Sequence, residues 1–347
     1  MDELSLRNER FQVSRHLILG CSPLAGIYRT IPEHEAYQTI RTALDLGFLD
    51  LDTAPHYGLG LSETRLGRAV AMYGSHSSIR IWSKVGRVIK SVAEVAVQDR
   101  PRIEHSNIQG NVGCIFPNTP VGVVPVLDYS SLGVSCSHED SLRRLGTAAV
   151  HGLRVHDVED ETSFIHAMAS GGAIDELLRL RESGVIKNVS LGMNDPAYTM
   201  RMIRGKPRGT FDSIMLAGAW NLLDQDGFEV LLECQRRDIK VHVAGIFASG
   251  ILVGGSTYKY DVASPEIIRR RELWSDLADT FGAPLPAVAI AFALLPAIVE
   301  KVAVGVKSAE EVHATVHWLE SASRLNPQLW VEAKQRGLLS VNIPVNK

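Results

Sequence analysis

Four ionisable side chains lie at the ends of three short apolar runs: Asp52, Tyr57, Lys84 and His156. A buried carboxylate beside a buried lysine would keep that lysine charged, so Asp52 is expected to pair with Lys84. The Lys84 ammonium would then favour the phenolate and lower the pKa of Tyr57. A neutral His156 could donate a hydrogen bond to a substrate oxygen. This set suits proton transfer at an alcohol or carbonyl oxygen, and redox chemistry would require a bound hydride carrier.

Each of the four residues also has an ordinary structural interpretation. An aspartate that closes a strand is most often a turn residue or a helix cap, and a lone histidine is usually a satisfied structural residue. A lysine at a strand end is most often solvated, and a tyrosine is more often packing than chemistry. The occurrence of all four on successive strands favours the functional interpretation.

The elements that must position these residues alternate between strand and helix. Apolar runs predict eight strands, over 17–20, 48–51, 79–84, 150–156, 189–193, 213–217, 240–244 and 301–306. Helical periodicity follows most of them, over 137–146, 174–181, 228–237, 264–281, 286–295 and 309–319, with further helices starting near Pro32, Ser62 and Asp195. Eight such units predict a closed parallel (β/α)8 TIM barrel, in which the loops after the strands carry the chemistry.

An open doubly wound sheet is the main alternative to the barrel. That fold would place a GxGxxG turn after an early strand, and the nearest candidate, Gly58–Glu63, ends in glutamate. We therefore expect no Rossmann domain and a single barrel domain over 1–347. Periodicity is lost between the third strand and residue 137, so residues 85–137 are predicted to form a long loop insertion over one end of the barrel, with residues 113–126 as loop or edge strand.

Composition excludes several classes of function. The chain has 347 residues, 45% hydrophobic and 22% charged, with a net charge of −3, which gives no basic field for nucleic acid or an acidic membrane. Cys21, Cys114, Cys136 and Cys234 are scattered without metal-ligand spacing, so we expect reduced thiols and no metal. The charged N-terminus and the short apolar run 287–298 predict neither secretion nor a membrane span. We expect a cytoplasmic monomer or weak dimer that acts on a small molecule.

The motifs around the four residues resemble those of the aldo-keto reductase superfamily over nearly the whole chain. The resemblance lies in DTAPHYG at 52–58, SETRLG at 62–67, WSKVG at 82–86 and VHD at 155–157. It implies a catalytic tetrad of Asp52, Tyr57, Lys84 and His156, with Tyr57 as the general acid/base. It also implies a (β/α)8 barrel that binds an extended NAD(P) cofactor.

Further residues can be carried over from the resemblance. Asn194 matches an asparagine that holds the nicotinamide carboxamide, residues 249–252 match the loop around the pyrophosphate, and residues 305–308 match the segment at the adenosine ribose. The implied cofactor-binding residues are Asn194, Ser249, Gly250, Leu252, Gly305, Lys307, Ser308 and Glu311. The expected substrate-binding residues are His56, Trp82, Trp220 and Phe247.

The sequence departs from the family pattern mainly around the cofactor. Glu311 stands where a glutamine is common, and a carboxylate near a 2′-phosphate would repel it, which favours NAD; Lys307 favours NADP. Ala314–Thr315 replace the pair that usually contacts adenine, and Ala217 replaces a glutamine that binds the carboxamide. The aromatic residue that stacks on nicotinamide is replaced by Ala244–Gly245, so Phe247 or Trp220 could take that role.

Other segments resemble one branch of the superfamily, the D-threo-aldose 1-dehydrogenases (L-fucose or D-arabinose dehydrogenases), with pyridoxal dehydrogenases nearby. These segments are Asp128–Ser130 with Gly133–Val134, Leu191–Asn194, Leu222–Gln225 and Phe247–Gly250. The resemblance implies oxidation of the anomeric carbon of an aldose, of L-fucose, D-arabinose or L-galactose type, to the lactone. The alternatives are an NADPH-dependent aldehyde or ketone reductase, a pyridoxal dehydrogenase, a barrel aldolase with Lys84 as Schiff-base nucleophile, and a cofactor-binding regulatory subunit.

Overall fold

The strands of this protein form where short apolar runs can be buried on both faces. Leu17, Ile18 and Leu19 are fully buried in the first strand, and Leu19 lies in register with Leu51 on one side and Val304 on the other. Strands enclosed by neighbours in this way are typical of parallel sheets covered by helices. In a computed structural model, which describes residues 4–7, 9–73, 78–105, 108–111 and 114–345, these strands close into a barrel.

The described strands, in chain order, are β1 (Leu17–Gly20), β2 (Asp50–Asp52), β3 (Arg80–Val85), β4 (Arg87–Ser91), β5 (Val123–Leu127), β6 (Gly152–His156), β7 (Asn188–Met193), β8 (Ser213–Ala217), β9 (Lys240–Ala244), β10 (Thr257–Tyr258), β11 (Asp261–Val262) and β12 (Val299–Gly305). The closed barrel has the order β1-β12-β9-β8-β7-β6-β3-β2, and every pairing in it is parallel. All eight carboxyl ends therefore meet at one end of the barrel. The predicted (β/α)8 barrel is confirmed.

The described helices are α1 (Val13–His16), α2 (Glu33–Asp45), α3 (Leu61–Tyr73), α4 (Ser131–Leu145), α5 (Glu161–Met168), α6 (Ala173–Glu182), α7 (Pro196–Arg204), α8 (Phe228–Arg237), α9 (Pro265–Thr280), α10 (Leu285–Leu294), α11 (Ala309–Ala322) and α12 (Gln328–Gln335). Local sequence explains their starts. Asp195, for example, accepts a hydrogen bond from the Tyr198 N–H at 2.9 Å, and Pro196 follows as the first helical residue. The next apolar positions, Met202 and Ile203, then face the barrel.

Helix α10 is the most hydrophobic of the described helices, and nine of its ten residues are buried. Among the described residues no single helix is long and apolar enough to cross a membrane. Helices α9 and α10, bent by 96° at the break between them, are long and apolar enough for a membrane span only when they are taken together, by length and composition alone.

The predicted long loop after the third strand contains regular structure. Strands β4 and β5 pair as an antiparallel hairpin, with Arg87 opposite Leu127, and two 3-10 helices (Val92–Glu94 and Val97–Arg102) lie between them. The prediction of a long segment after the third strand is confirmed, and β5 lies mostly in the part, up to Val126, that is predicted as loop or edge strand; the hairpin pairing and the 3-10 helices are not predicted. Sequence analysis did not reveal the hairpin because its two strands are separated by more than thirty residues.

Helix α4 also starts earlier than predicted, at Ser131 instead of Ser137. Ser130 caps it by accepting a hydrogen bond from the Gly133 N–H at 3.1 Å. Gly133 disguises the helix start in the sequence because glycine is a poor helix former. A side chain there would collide with Asp128, since a Cβ would lie 2.5 Å from its Cγ.

A short hairpin of β10 and β11 lies beside the open end of the barrel. Lys259 and Tyr260 form its turn with φ values of 47° and 66°, an arrangement that suits the twist of a two-residue hairpin. Tyr258, Lys259 and Tyr260 all line the cavity at the carboxyl ends of the strands. This turn adds aromatic surface to the site that sequence analysis did not predict.

Candidate active site

The four residues of the predicted tetrad converge at the carboxyl ends of neighbouring strands. Asp52 ends β2, Lys84 lies near the end of β3, and His156 ends β6. Lys84 donates from Nζ to Asp52 Oδ1 and, at 2.9 Å, to the Thr53 carbonyl oxygen. The ammonium is 4.6 Å from the ring centroid of Tyr57, whose ring lies edge-on to that of His156 at 5.8 Å. The predicted convergence is confirmed; the catalytic roles stay predictions.

A tight loop after β2 holds Tyr57 in this position. The Thr53 and Ser62 hydroxyls lie 2.9 Å apart, and Ser62 donates to the Cys21 carbonyl oxygen at 2.9 Å, which ties the loop to β1. Gly58 follows with a φ of 61°, and a Cβ there would lie 2.8 Å from the Ala25 Cβ. Glycine is therefore required next to Tyr57 for both conformation and space.

Asp52 has a second buried cation that sequence analysis missed. Arg154, fully buried, donates from Nε to Asp52 Oδ2 at 2.8 Å and from Nη1 to Ser190 Oγ at 2.7 Å. Its Nη2 lies 2.9 Å from His242 Nδ1, and its guanidinium stacks 4.3 Å from the Trp82 ring centroid. The signal was present in the sequence, because residues two apart in a strand share a face and Arg154 precedes His156 by two.

The charges around Tyr57 do not act as predicted. Burial raises the pKa of Tyr57 well above its ordinary value, and the negative charges of Asp52 and Asp157 raise it further, while Arg154 and Arg87 oppose the shift. The expectation that Lys84 leaves this pKa below the usual value is wrong, because desolvation of the phenolate outweighs the nearby cations.

Burial and neighbouring charges also shift the pKa values of the other tetrad residues. Burial would raise the pKa of Asp52, but Lys84 and Arg154 outweigh it and hold that pKa below the usual value. Burial lowers the pKa of Lys84, and Asp52 works against that shift. Burial, with Arg87 and Lys84 nearby, lowers the pKa of His156 well below its usual value, so the imidazole is neutral at physiological pH.

A second group of charges lies just outside the tetrad. Arg87 makes a bidentate pair with Glu104, with both N–O distances at 2.8 Å, and His56 Nδ1 lies 3.1 Å from Glu104 Oε2. Asp157 Oδ2 lies 3.3 Å from His156 Nε2 and 3.8 Å from Arg87 Nη2. Arg87 and Glu104 belong to the segment 85–137, so this insertion contributes directly to the site.

The tetrad lines the floor of a cavity of about 770 Å³. Of the predicted site residues, the cavity is lined by Asp52, His56, Tyr57, Lys84, His156, Asn194, Phe247, Ser249, Gly250, Gly305, Lys307 and Glu311. Trp82, Trp220, Leu252 and Ser308 are not among the lining residues. The predicted cofactor segments thus run along the same cavity that contains the tetrad.

The four residues outside the cavity have structural positions. Trp82 faces the barrel interior one layer below Lys84, and its Nε1 donates to Asp50 Oδ1 at 3.2 Å. Trp220 is fully buried and stacks on Phe292 with ring centroids 4.7 Å apart. Leu252 is a core residue, and Ser308 caps α11. These positions do not support a direct contact of either tryptophan with substrate. The sequence prediction rested on residue type, which does not reveal the face that each ring occupies.

Comparison with known proteins identifies the family. The family model described as "Aldo/keto reductase family" matches residues 16–330. The chain belongs to this family. It is therefore an NAD(P)-dependent oxidoreductase with the barrel and cavity described above.

Individual relatives of this aldo-keto reductase are similar over almost their full length. The chain is 32% identical to pyridoxal 4-dehydrogenase of Microbacterium luteolum over 334 residues, which covers 93% of this chain and 94% of that protein. It is 28% identical to D-threo-aldose 1-dehydrogenase of a Pseudomonas species over 326 residues, covering 92% and 93%. The solved holo form of an aldo-keto reductase from Bacillus halodurans matches with a TM-score of 0.67 at 22% identity, covering 98% and 99%, which supports the fold.

The residues along the cavity fit the nicotinamide cofactor of the family. Asn194 donates from Nδ2 to Asp157 Oδ1 and Glu159 Oε1, both at 3.1 Å, which fixes its amide at the end of β7. Gly250 has a φ of 101°, and a Cβ at this position would meet no atom of the described residues within 4 Å, so the backbone here is open to a ligand. When bound, the cofactor supplies the hydride acceptor or donor.

The far end of the cavity carries one cation and one carboxylate. Glu311 Oε2 accepts a hydrogen bond from the Lys307 backbone N–H at 2.7 Å, and both side chains line the cavity. A carboxylate is a good acceptor for ribose hydroxyl groups and repels a 2′-phosphate. Of the two aromatic residues considered for stacking on nicotinamide, Phe247 lines the cavity and Trp220 does not.

Proposed function

We propose that this aldo-keto reductase oxidises the anomeric carbon of an aldose, of L-fucose, D-arabinose or L-galactose type, to the lactone with NAD(P)+. The observation that carries the proposal is the meeting of Tyr57, Lys84 and His156 at the floor of a cavity that continues to the cofactor segments. The similarity to a D-threo-aldose 1-dehydrogenase supports the substrate class. The site is thus assigned to a hydroxyl-bearing substrate whose reacting oxygen lies against Tyr57.

In the proposed reaction Tyr57 moves the proton. As phenolate it takes the proton of the anomeric hydroxyl group, while the hydride leaves the same carbon for the nicotinamide. The neutral His156 donates a hydrogen bond to the reacting oxygen and so orients it. Lys84 and Arg154 hold Asp52 and supply the positive charge beside the phenolate.

The proposed cofactor is NAD in preference to NADP. Glu311 accepts a hydrogen bond from the backbone of Lys307, so a carboxylate occupies the place where a 2′-phosphate would need a cation. An ionised carboxylate close to a phosphate is repulsive, and the Lys307 side chain offsets this only in part.

Oxidation of pyridoxal is the second candidate. It is supported by the 32% identity to pyridoxal 4-dehydrogenase over 93% of the chain. Both candidates require the same hydride transfer from a carbon that bears a hydroxyl group. They differ in whether the substrate is an aliphatic polyol or an aromatic ring, so substrate comparison separates them.

The direct test is reduction of NAD+ and NADP+, followed at the absorbance of the reduced nicotinamide, with L-fucose, D-arabinose, L-galactose and pyridoxal. We expect turnover with at least one aldose and a larger kcat/KM with NAD+. Activity with pyridoxal alone would select the second candidate. Activity confined to NADPH-dependent reduction of simple aldehydes would contradict both and support the reductase alternative, whereas tight cofactor binding without turnover would indicate a regulatory subunit.

A further inference from the structure

Asp157 directly follows His156, and both side chains line the cavity. Consecutive residues of a strand normally point to opposite faces. Here Asp157 has a φ of 42°, in the left-handed region that aspartate tolerates better than most residues, and its N–H donates to the Gly192 carbonyl oxygen at 2.9 Å. Unusual backbone of this kind is concentrated at functional sites. It allows two successive side chains to reach the same ligand.

The carboxylate of Asp157 has acceptor capacity that the described contacts do not use. Arg87 is engaged by Glu104 through two hydrogen bonds and stays 3.8 Å from Asp157. Asn194 donates one hydrogen bond to Asp157 at 3.1 Å. His156 Nε2 also lies 3.3 Å from Asp157 Oδ2. An ionised carboxylate can accept about four hydrogen bonds; burial raises the pKa of Asp157 to about 7 despite Arg87, so the ionised form predominates above that pH. Much of its capacity therefore remains for a ligand in the cavity.

We propose that Asp157 binds the hydroxyl group on the carbon next to the reacting carbon, and so makes the enzyme selective for α-hydroxy aldehydes and the aldoses derived from them. Asp157 Oδ2 is 3.3 Å from His156 Nε2. The oxygens on neighbouring carbons of a sugar lie a similar distance apart. An aldose can therefore place its reacting oxygen at His156 and its 2-hydroxyl group at Asp157. The part of this inference that concerns lactone formation rests on the proposed function.

Asp157→Asn is the variant that tests this role. Asparagine keeps the size, tolerates the left-handed backbone and can still accept the hydrogen bond from Asn194, but it has lost the charge. A charged acceptor for one hydroxyl group is worth about 10–100-fold in kcat/KM. We expect that loss for the best aldose in oxidation, and a change of less than about threefold for its 2-deoxy analogue.

The same comparison in the reductive direction uses glyceraldehyde, which has hydroxyl groups on both carbons beyond the aldehyde, and propanal, which has none. We expect the wild type to prefer glyceraldehyde by about 10–100-fold and Asp157→Asn to lose most of that preference. Glu159→Gln is the matched control, because Glu159 also accepts from Asn194 at 3.1 Å but does not line the cavity. It should keep the wild-type preference.

Three results would overturn the inference. One is an equal loss on both members of each substrate pair, and another is the same collapse of preference in Glu159→Gln. The third is a parallel loss of NAD+ affinity in Asp157→Asn, measured by quenching of tryptophan fluorescence, which would assign the residue to the cofactor. If no aldose is oxidised but the glyceraldehyde preference depends on Asp157, the proposed function fails and the inference stands.

Discussion

Two charged clusters lie side by side at the open end of the barrel, and they are built in different ways. The inner cluster, Asp52, Lys84 and Arg154, places two cations on one carboxylate, with all three residues on adjacent strands and almost completely buried. The outer cluster, His56, Arg87, Glu104 and Asp157, places one arginine between two carboxylates and is drawn from loops and the insertion.

The difference separates the two tasks of the site. Strands are rigid, so the inner cluster can hold its two cations and one carboxylate at fixed distances from Tyr57, whose pKa Asp52 raises and Arg154 lowers. Loops vary more readily among relatives of one fold, so they are suited to choosing the substrate. Of the outer cluster, His56 and Asp157 line the cavity, so a carboxyl group is available there as a hydrogen-bond acceptor.

The largest effect is expected where the inner cluster acts, at Tyr57. Tyr57→Phe removes the group that exchanges the proton, and we expect kcat to fall by about 1,000-fold, within the range of general acid–base catalysis. The dissociation constant for NAD+ should change by less than about threefold. Titration of the variant with cofactor, alongside steady-state kinetics, separates these outcomes; an equal loss of binding and turnover would mean that Tyr57 is structural.

Arg154→Met tests whether the second cation of the inner cluster matters. Arg154 works against the raised pKa of Tyr57, so its removal raises that pKa further. Oxidation requires the phenolate, so kcat for oxidation rises with pH. In the variant this rise should occur at higher pH, and kcat at neutral pH should fall by about 10–100-fold. The free energy of unfolding should also fall, by about 3 kcal/mol, because a buried pair is broken.

Ser190→Ala is the control for Arg154. It removes the hydroxyl group that accepts from Arg154 Nη1 at 2.7 Å without changing any charge. The pH profile of kcat should keep its wild-type position in this variant. A uniform loss of kcat in Arg154→Met, with no movement of this rise along the pH axis, would mean that Arg154 serves stability alone.

The inner cluster was largely predictable from the sequence, and the outer one was not. The strands are short apolar runs, most of them followed by a helical pattern, so their order predicted the positions of Asp52, Lys84 and His156. Arg154 was missed although it shares a strand face with His156. In the outer cluster, Arg87 lies 3.8 Å from Asp157 and belongs to a hairpin that local periodicity does not reveal.

Residue type was a poor predictor of which aromatic side chains line the cavity. Trp82 and Trp220 were predicted to contact substrate, but both are core residues. Phe247, of the same chemical type, lines the cavity. The face that a ring occupies is decided by register and packing, which the sequence of one chain does not reveal at loop positions. The predicted direction of the Tyr57 pKa shift was wrong for a related reason, since the burial that raises this pKa depends on the whole fold.

The smallest effect is expected at the far end of the cavity. There Lys307 and Glu311 again place a cation beside a carboxylate, but on a more exposed surface. Lys307→Ala removes a point charge that would attract a 2′-phosphate, so affinity for NADP should fall by about three- to tenfold while affinity for NAD stays nearly constant. Glu311→Gln is the opposing variant and should improve NADP binding, because it removes the carboxylate that repels the phosphate. Dissociation constants for both cofactors, measured at two salt concentrations, decide the matter. A change that is equal for NAD and NADP would remove both residues from the 2′ position, and would mean that charge at this end of the cavity does not select the cofactor.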